Sequence, residues 1–309
     1  MTLKLCLCCV LAASAAPAAD PPSAQIANGG VHAKLYLPDA ENGYYRATRF
    51  DWAGQIASLE YQGHNYFGQW FERYDPKLHD SILGPVESFN AIGYDEAKVG
   101  GTFLRIGVGY LRKPEETRLS DFKTYEIADG GKWSVKTGED WVEMTHNLGG
   151  VYVYRKTVRV AKGQLVLEHS LRNTGKTTLD TNVFNHNFYM LDNQPTGPDV
   201  VVSVPFDLGH GDDWRGPGET KGKELRYLQE LEKGQTVSST LTGYADRASD
   251  FDIRVENKKT GAKVRQTGDR PLSRLYFWSI RTTVCPEPYI HVHVEPGQEQ
   301  TWRIRYDFQ

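Results

Sequence analysis

The residues best suited to proton chemistry lie in one short stretch, Phe184-Asn185-His186-Asn187-Phe188-Tyr189. A histidine flanked by two amides and then by aromatics fits poorly into plain core, because its ring nitrogens need partners. Held at the mouth of a sheet, it can give or take a proton near neutral pH. A buried histidine satisfied by structure alone is the plainer alternative. A second cluster, His291-x-His293 with Glu295, has the residue types of a metal site, and on a strand all three share one face. With no bulge at Pro288, Glu287 joins that face. Only three candidate ligands are contiguous, and paired histidines on a strand are also satisfied by cross-strand neighbours, so we assign no metal and no other cofactor.

Two loops carry groups that suit a polyhydroxylated ligand. Gly68–Gly101 combines Trp70, Arg73, His79, Glu87 and Asn90 with little periodicity, and Phe206–Glu219 holds His210, Asp212, Asp213 and Trp214. Aromatic rings stack on sugar C–H faces while amides and charges meet hydroxyls. Each loop has a bland alternative: a cover over an open end of the fold for the first, and a solvated acidic turn or weak calcium loop for the second.

The elements that must position these groups read as strands. Alternating runs recur at Lys34–Leu37, Gln55–Tyr61, Phe103–Val108, Trp141–Thr145, Tyr152–Val160, Gln164–Leu171, Asp252–Glu256, Leu275–Ile280 and Gln300–Tyr306, with Gly-rich turns between them. The one helix expected is Lys223–Glu232, where Leu225, Leu228 and Leu231 fall three residues apart. No repeat or linker divides the chain, so the expectation is an all-β protein, one large antiparallel β-sandwich domain spanning 19–309. Residues 1–18 read as a secretory leader: Lys4, an apolar run from Leu5 to Ala13, then Ala16-Pro17-Ala18. The mature chain would start near Ala19 and be periplasmic or secreted. The apolar run is too short to span a bilayer, so no membrane partner is expected. Three of the four cysteines lie in the leader, leaving Cys285 without an internal disulfide partner. A net charge of −3 with no basic block argues against nucleic acid.

The order of four pieces resembles the galactose mutarotase-like (aldose 1-epimerase) superfamily. They are the turn Asn173–Gly175, the pair Asn185-His186, Cys285–Pro288, and the segment Pro296–Phe308 with its Pro-Gly-Gln start. The resemblance implies a large β-sandwich that binds a sugar, with His186 as general acid and Glu287 as general base. Mutarotation opens and recloses a hemiacetal, so it needs one base at the anomeric hydroxyl and one acid at the ring oxygen, and no cofactor. It further implies carbohydrate contacts, for which the candidates here are Arg73, Glu87, Asn90, Arg105, Asn185, Asp213 and Trp214. Where relatives carry a further His-Gly, Gly101–Gly109 has none; Arg105 is its nearest polar substitute, and His64 or His146 can replace the ring only in space. Two other classes fit a secreted sandwich of this kind. One is a polysaccharide lyase, with Arg73, Arg105 or Arg155 neutralising a uronate; the other is a silent sugar-binding module.

Overall fold

A computed structural model describes residues 20–309, which excludes the expected leader. Among the described residues the regular structure is almost entirely antiparallel strand, in sheets of ten, six, four and three. Among the described residues no helix is long and apolar enough to cross a membrane. The ten-stranded sheet is built around the long strands Trp141–Leu148, Tyr152–Ala161, Gln164–Asn173 and Glu299–Phe308. Burial alternates strictly along Trp141–Leu148 and Glu299–Phe308, as the period-2 pattern of the sequence requires, and is interrupted in the other two only at Thr157 and Ser170. The six-stranded sheet contains, in spatial order, Thr236–Thr242, Arg274–Ile280, Thr283–Val294, Leu179–His186 and Val86–Phe89, with the short Gly209–His210 at its edge. The two sheets face each other across one core that includes Leu167, Tyr306, Val183 and Val292.

Much of the six-stranded sheet is covered on both faces, although Asp180, His291 and His293 at one end of its outer face are exposed. Its outer face carries a second core, formed with the irregular segments 37–54, 68–85 and 113–126 and including Tyr45, Phe50, Trp70, Leu83, Phe184 and Phe188. Without that cover a row of aromatic side chains would face water, so the loops are packed structure.

Three expected elements differ, the first being the loop Gly68–Gly101, which contains the strand Val86–Phe89 paired with Leu179–His186. Lys223–Glu232 is not a helix: Glu224–Tyr227 pairs as a strand with Val200–Ser203, burying Leu225 and Tyr227 while Leu228 is exposed. Leu225 and Tyr227 also fit a period-2 register, which leaves Leu228 outside, and strand pairing outweighs weak helix propensity. The single run Phe103–Val108 is instead a hairpin, Thr102–Arg105 and Gly109–Arg112, whose turn uses Gly107 at φ 79°.

Candidate active site

Residues 185 and 186 point to opposite faces of the six-stranded sheet, as neighbours on a strand must. Asn185 faces the core between the sheets; it donates to Glu87 Oε1 (3.0 Å) and accepts from Gln266 Nε2 (3.2 Å) and Tyr306. His186 faces outward. The register that pairs Phe184 with Tyr289 and Val183 with Ile290 brings Glu287 opposite it. His186 Nε2 lies 3.3 Å from Glu287 Oε1, and both side chains are about 95% buried. The other ring nitrogen, Nδ1, contacts Cys285 Sγ, which also accepts the Phe188 N–H at 3.1 Å. Phe188, at φ 47°, turns its ring flat onto the imidazole with centroids 3.7 Å apart, and Trp70 stacks on Phe188 in turn. Gly84 closes the arrangement from the loop side. A Cβ there would meet the carbonyl oxygen of Asn187 at 2.1 Å, so only glycine lets the loop approach this backbone.

The pair forms the floor of a cavity of about 310 Å³. Aromatic walls come from Trp278, Tyr276, Tyr289 and Phe122, and charged groups from Arg49, Arg274, His79 and Asp80. Apart from the contact with His186, no described residue donates a hydrogen bond to the Glu287 carboxyl. Burial pushes it up to about 8, against the pull of Arg49 and Arg274. Burial, then the Arg49 charge, hold His186 well below the usual imidazole range. At neutral pH the site therefore has a protonated carboxyl beside a neutral imidazole. Cys285, pushed up by burial, remains a thiol.

The raised Glu287 has a consequence for stability. Its folded pKa exceeds the unfolded one, so folding takes up a proton, and its contribution falls as pH rises from about 4.5 to about 8. Glu287→Gln removes that dependence. The variant is expected to gain roughly 2–4 kcal/mol over the native protein at pH 8, with the gain vanishing near pH 4.5. Denaturant melts across this range check it; a gain that does not vary with pH would mean the carboxyl is not perturbed in the fold.

The other sequence candidates divide by position. Glu87 does not reach the cavity. It lies between the sheets, bound by Lys156, by His169 at 2.9 Å and by Asn185, and although burial raises its pKa, Lys156 and His169 pull it down to about 2. Arg105 is buried with one guanidinium nitrogen on Asp121 (2.7 Å) and another on the Arg49 carbonyl (2.9 Å), which makes it a support beneath Arg49. Arg73 and Asn90 are exposed and do not line the cavity. Asp213 is held by Ser239 and Thr240, three strands from His186, with Trp214 beside it against His210. Thr240 pairs with Tyr276, and Tyr276 with Glu287, so Asp213 sits at the rim of the same face, while Trp214 packs against the core between the sheets. Trp70 is 9% exposed and donates to the Ile82 carbonyl, a wall rather than an open platform.

His64 pairs with Asp192, and His146 is buried between Tyr152 and Gly130; neither is at the cavity. The second ring there is His79, held from the 68–85 loop. Arg155 lines a larger, open hollow of about 530 Å³ on the outer face of the ten-stranded sheet, with Trp141, Glu168 and Arg303. The buried His169–Glu87 pair beneath that hollow points between the sheets and not into it, so the smaller cavity is the better candidate. His291 and His293 do share the Glu287 face, further along the strand. Asp180 bridges them at 3.0 and 2.7 Å, and Glu295 takes the remaining His293 nitrogen. Sequence reasoning missed Arg49, Arg274, Tyr276, Trp278 and Phe122 as site residues. Alternation about Leu275–Ile280 contained the signal for residues 274, 276 and 278; nothing local marked Arg49 or Phe122.

Solved structures share this architecture. A Synechocystis sp. PCC 6803 protein, Slr1438, aligns over 97% of this chain and 99% of its own at 12% identity and TM-score 0.59. The GalM/aldose epimerase homologue of C. elegans aligns over 93% and 98% at 16% identity and TM-score 0.55. A galactose mutarotase related enzyme from Lactobacillus acidophilus aligns over 93% and 97% at 13% identity and TM-score 0.56. The chain has the galactose mutarotase-like fold. Neither a protein-family model nor a curated protein matches the sequence. In this mutarotase-like fold the cavity lies on the outer face of the six-stranded sheet, under the 37–54 and 68–85 segments.

Proposed function

We propose that the chain is an aldose 1-epimerase-type enzyme that interconverts the anomers of a sugar bound over His186 and Glu287. The observation that supports this reading best is the contact of those two side chains at the floor of a small, aromatic-walled cavity. Its volume is at the lower end of the roughly 300–1,000 Å³ typical of small-molecule sites, which suits a monosaccharide or a chain end. In the ligand-free protonation state Glu287 supplies the proton to the ring oxygen and His186 accepts that of the anomeric hydroxyl. In ring closure each group reverses its role at the same oxygen, whereas the assignment implied by the family resemblance places His186 at the ring oxygen and Glu287 at the anomeric hydroxyl and starts from an imidazolium and a carboxylate. The net result moves one proton on and one off the sugar, with the enzyme unchanged after ring closure.

The test is anomer interconversion followed by polarimetry or proton NMR on freshly dissolved sugars. Acceleration over the buffer rate is expected, with kcat/KM falling as pH rises through about 8, where the Glu287 carboxyl loses its proton. A protein that binds the sugar but leaves the buffer rate unchanged from pH 5 to pH 9 would be a lectin-like binder instead.

A further inference from the structure

Two guanidinium groups line the cavity without a carboxylate partner. Arg274 rises from the strand Arg274–Ile280 and is held by the rings of Tyr276 and Tyr289, at 5.2 and 5.3 Å, with one long contact to Thr240 Oγ1 (3.4 Å). Arg49 lies over the rings of Phe50 and Phe122, at 4.7 and 5.2 Å, and its Nε is buried with no hydrogen-bond partner. The one exposed carboxylate of the lining, Asp80, is turned to His79 at 3.6 Å. Arginines elsewhere in the chain that approach acids pair with them, as Arg105 does with Asp121 and Arg265 with Asp252. The buried Arg49 Nε is costly to leave unpaired, and an anionic ligand reaching both Arg49 and the exposed Arg274 would complete it.

We propose that the sugar recognised here is a hexuronic acid, its carboxylate held by Arg274 and Arg49 while the anomeric carbon lies over His186 and Glu287. This rests on the anomer-interconverting reading for the second half of the statement only. A monoanion fits better than a phosphate. No lysine and no helix N-terminus lines the cavity, and Asp80 and Glu287 place acidic groups on the same walls. Neutral hexoses would leave both guanidiniums unpaired.

Calorimetry with glucuronate, galacturonate and mannuronate, against glucose, galactose, mannose and glucose 6-phosphate, tests the proposal. At least one uronate is expected to bind tenfold or more tighter than its neutral counterpart and than the phosphate, with affinity falling as salt rises. In Arg274→Gln, an exposed position, the uronate-to-neutral ratio is expected to drop several-fold. Equal affinities, tighter phosphate binding, no uronate binding, or an unchanged ratio in the variant each overturn it. A uronate preference without accelerated anomer interconversion leaves this proposal standing and removes the catalytic one; fast interconversion of neutral sugars with no uronate preference does the opposite.

Discussion

Glu287→Gln and His186→Asn are each expected to slow anomer interconversion by about 10²–10⁴-fold, the range for loss of one positioned proton-transfer group. The double variant is expected to be scarcely slower than either single one. Ring opening needs a proton delivered and a proton removed in one event, so losing either partner disables the same step. The geometry makes the substitutions informative. Glu287→Gln is isosteric, His186→Asn keeps a polar atom near the Nδ1 position while removing Nε2, and both side chains lie in a rigid setting: Phe188 covers one face of the imidazole and Cys285 contacts its Nδ1. Ligand affinity, measured separately, should change far less than the rate. Full activity in Glu287→Gln would remove the carboxyl from the chemistry. Multiplying defects in the double variant would mean that the two groups act in separate steps.

The second large effect concerns stability and lies on the other side of the same sheet. Lys156 is completely buried, with its ammonium on Glu87 and on the Ala53 carbonyl (3.0 Å), and with Asp51 close enough to raise its pKa further. Lys156→Met is expected to cost about 3–5 kcal/mol, because it strands the Glu87 charge between the two sheets. Pairing it with Glu87→Gln should recover much of that loss, since the amide still meets Asn185 and His169 without a charge to bury. Urea denaturation of the two variants is the measurement. A single variant as stable as the native protein would show that Glu87 takes up a proton once its partner is gone.

These two sites explain what the sequence could and could not disclose. Strand alternation is local, so Gln164–Asn173 or Glu299–Phe308 could be read almost to the residue, and their buried faces with them. Lys223–Glu232 was ambiguous because Leu225 fits a three-residue spacing with Leu228 and a period-2 register with Tyr227, and only the Val200–Ser203 partner decides between them. His186 and Glu287 carried a motif order. Glu87 and Asn185, as polar as any ligand-binding pair, gave no sign in the sequence that they face the core, because facing depends on register with Lys156, His169 and Tyr306. Arg49 and Phe122 come from irregular segments, where no periodicity links residue number to direction.

The alternation along Leu179–His186 and just beyond it also bears on how such a protein can diverge. Asn185 and Asn187 tie the sheets together through Gln266 and Tyr306, while His186 and Phe188 face the cavity. A point substitution on one set leaves the other in place, so ligand preference can drift while the scaffold is preserved. Inserting or deleting a single residue in the strand would exchange the two sets, placing amides in the cavity and an imidazole and a phenyl ring among the buried amides. Lineages carrying this strand should therefore tolerate many replacements along it and almost no change in its length.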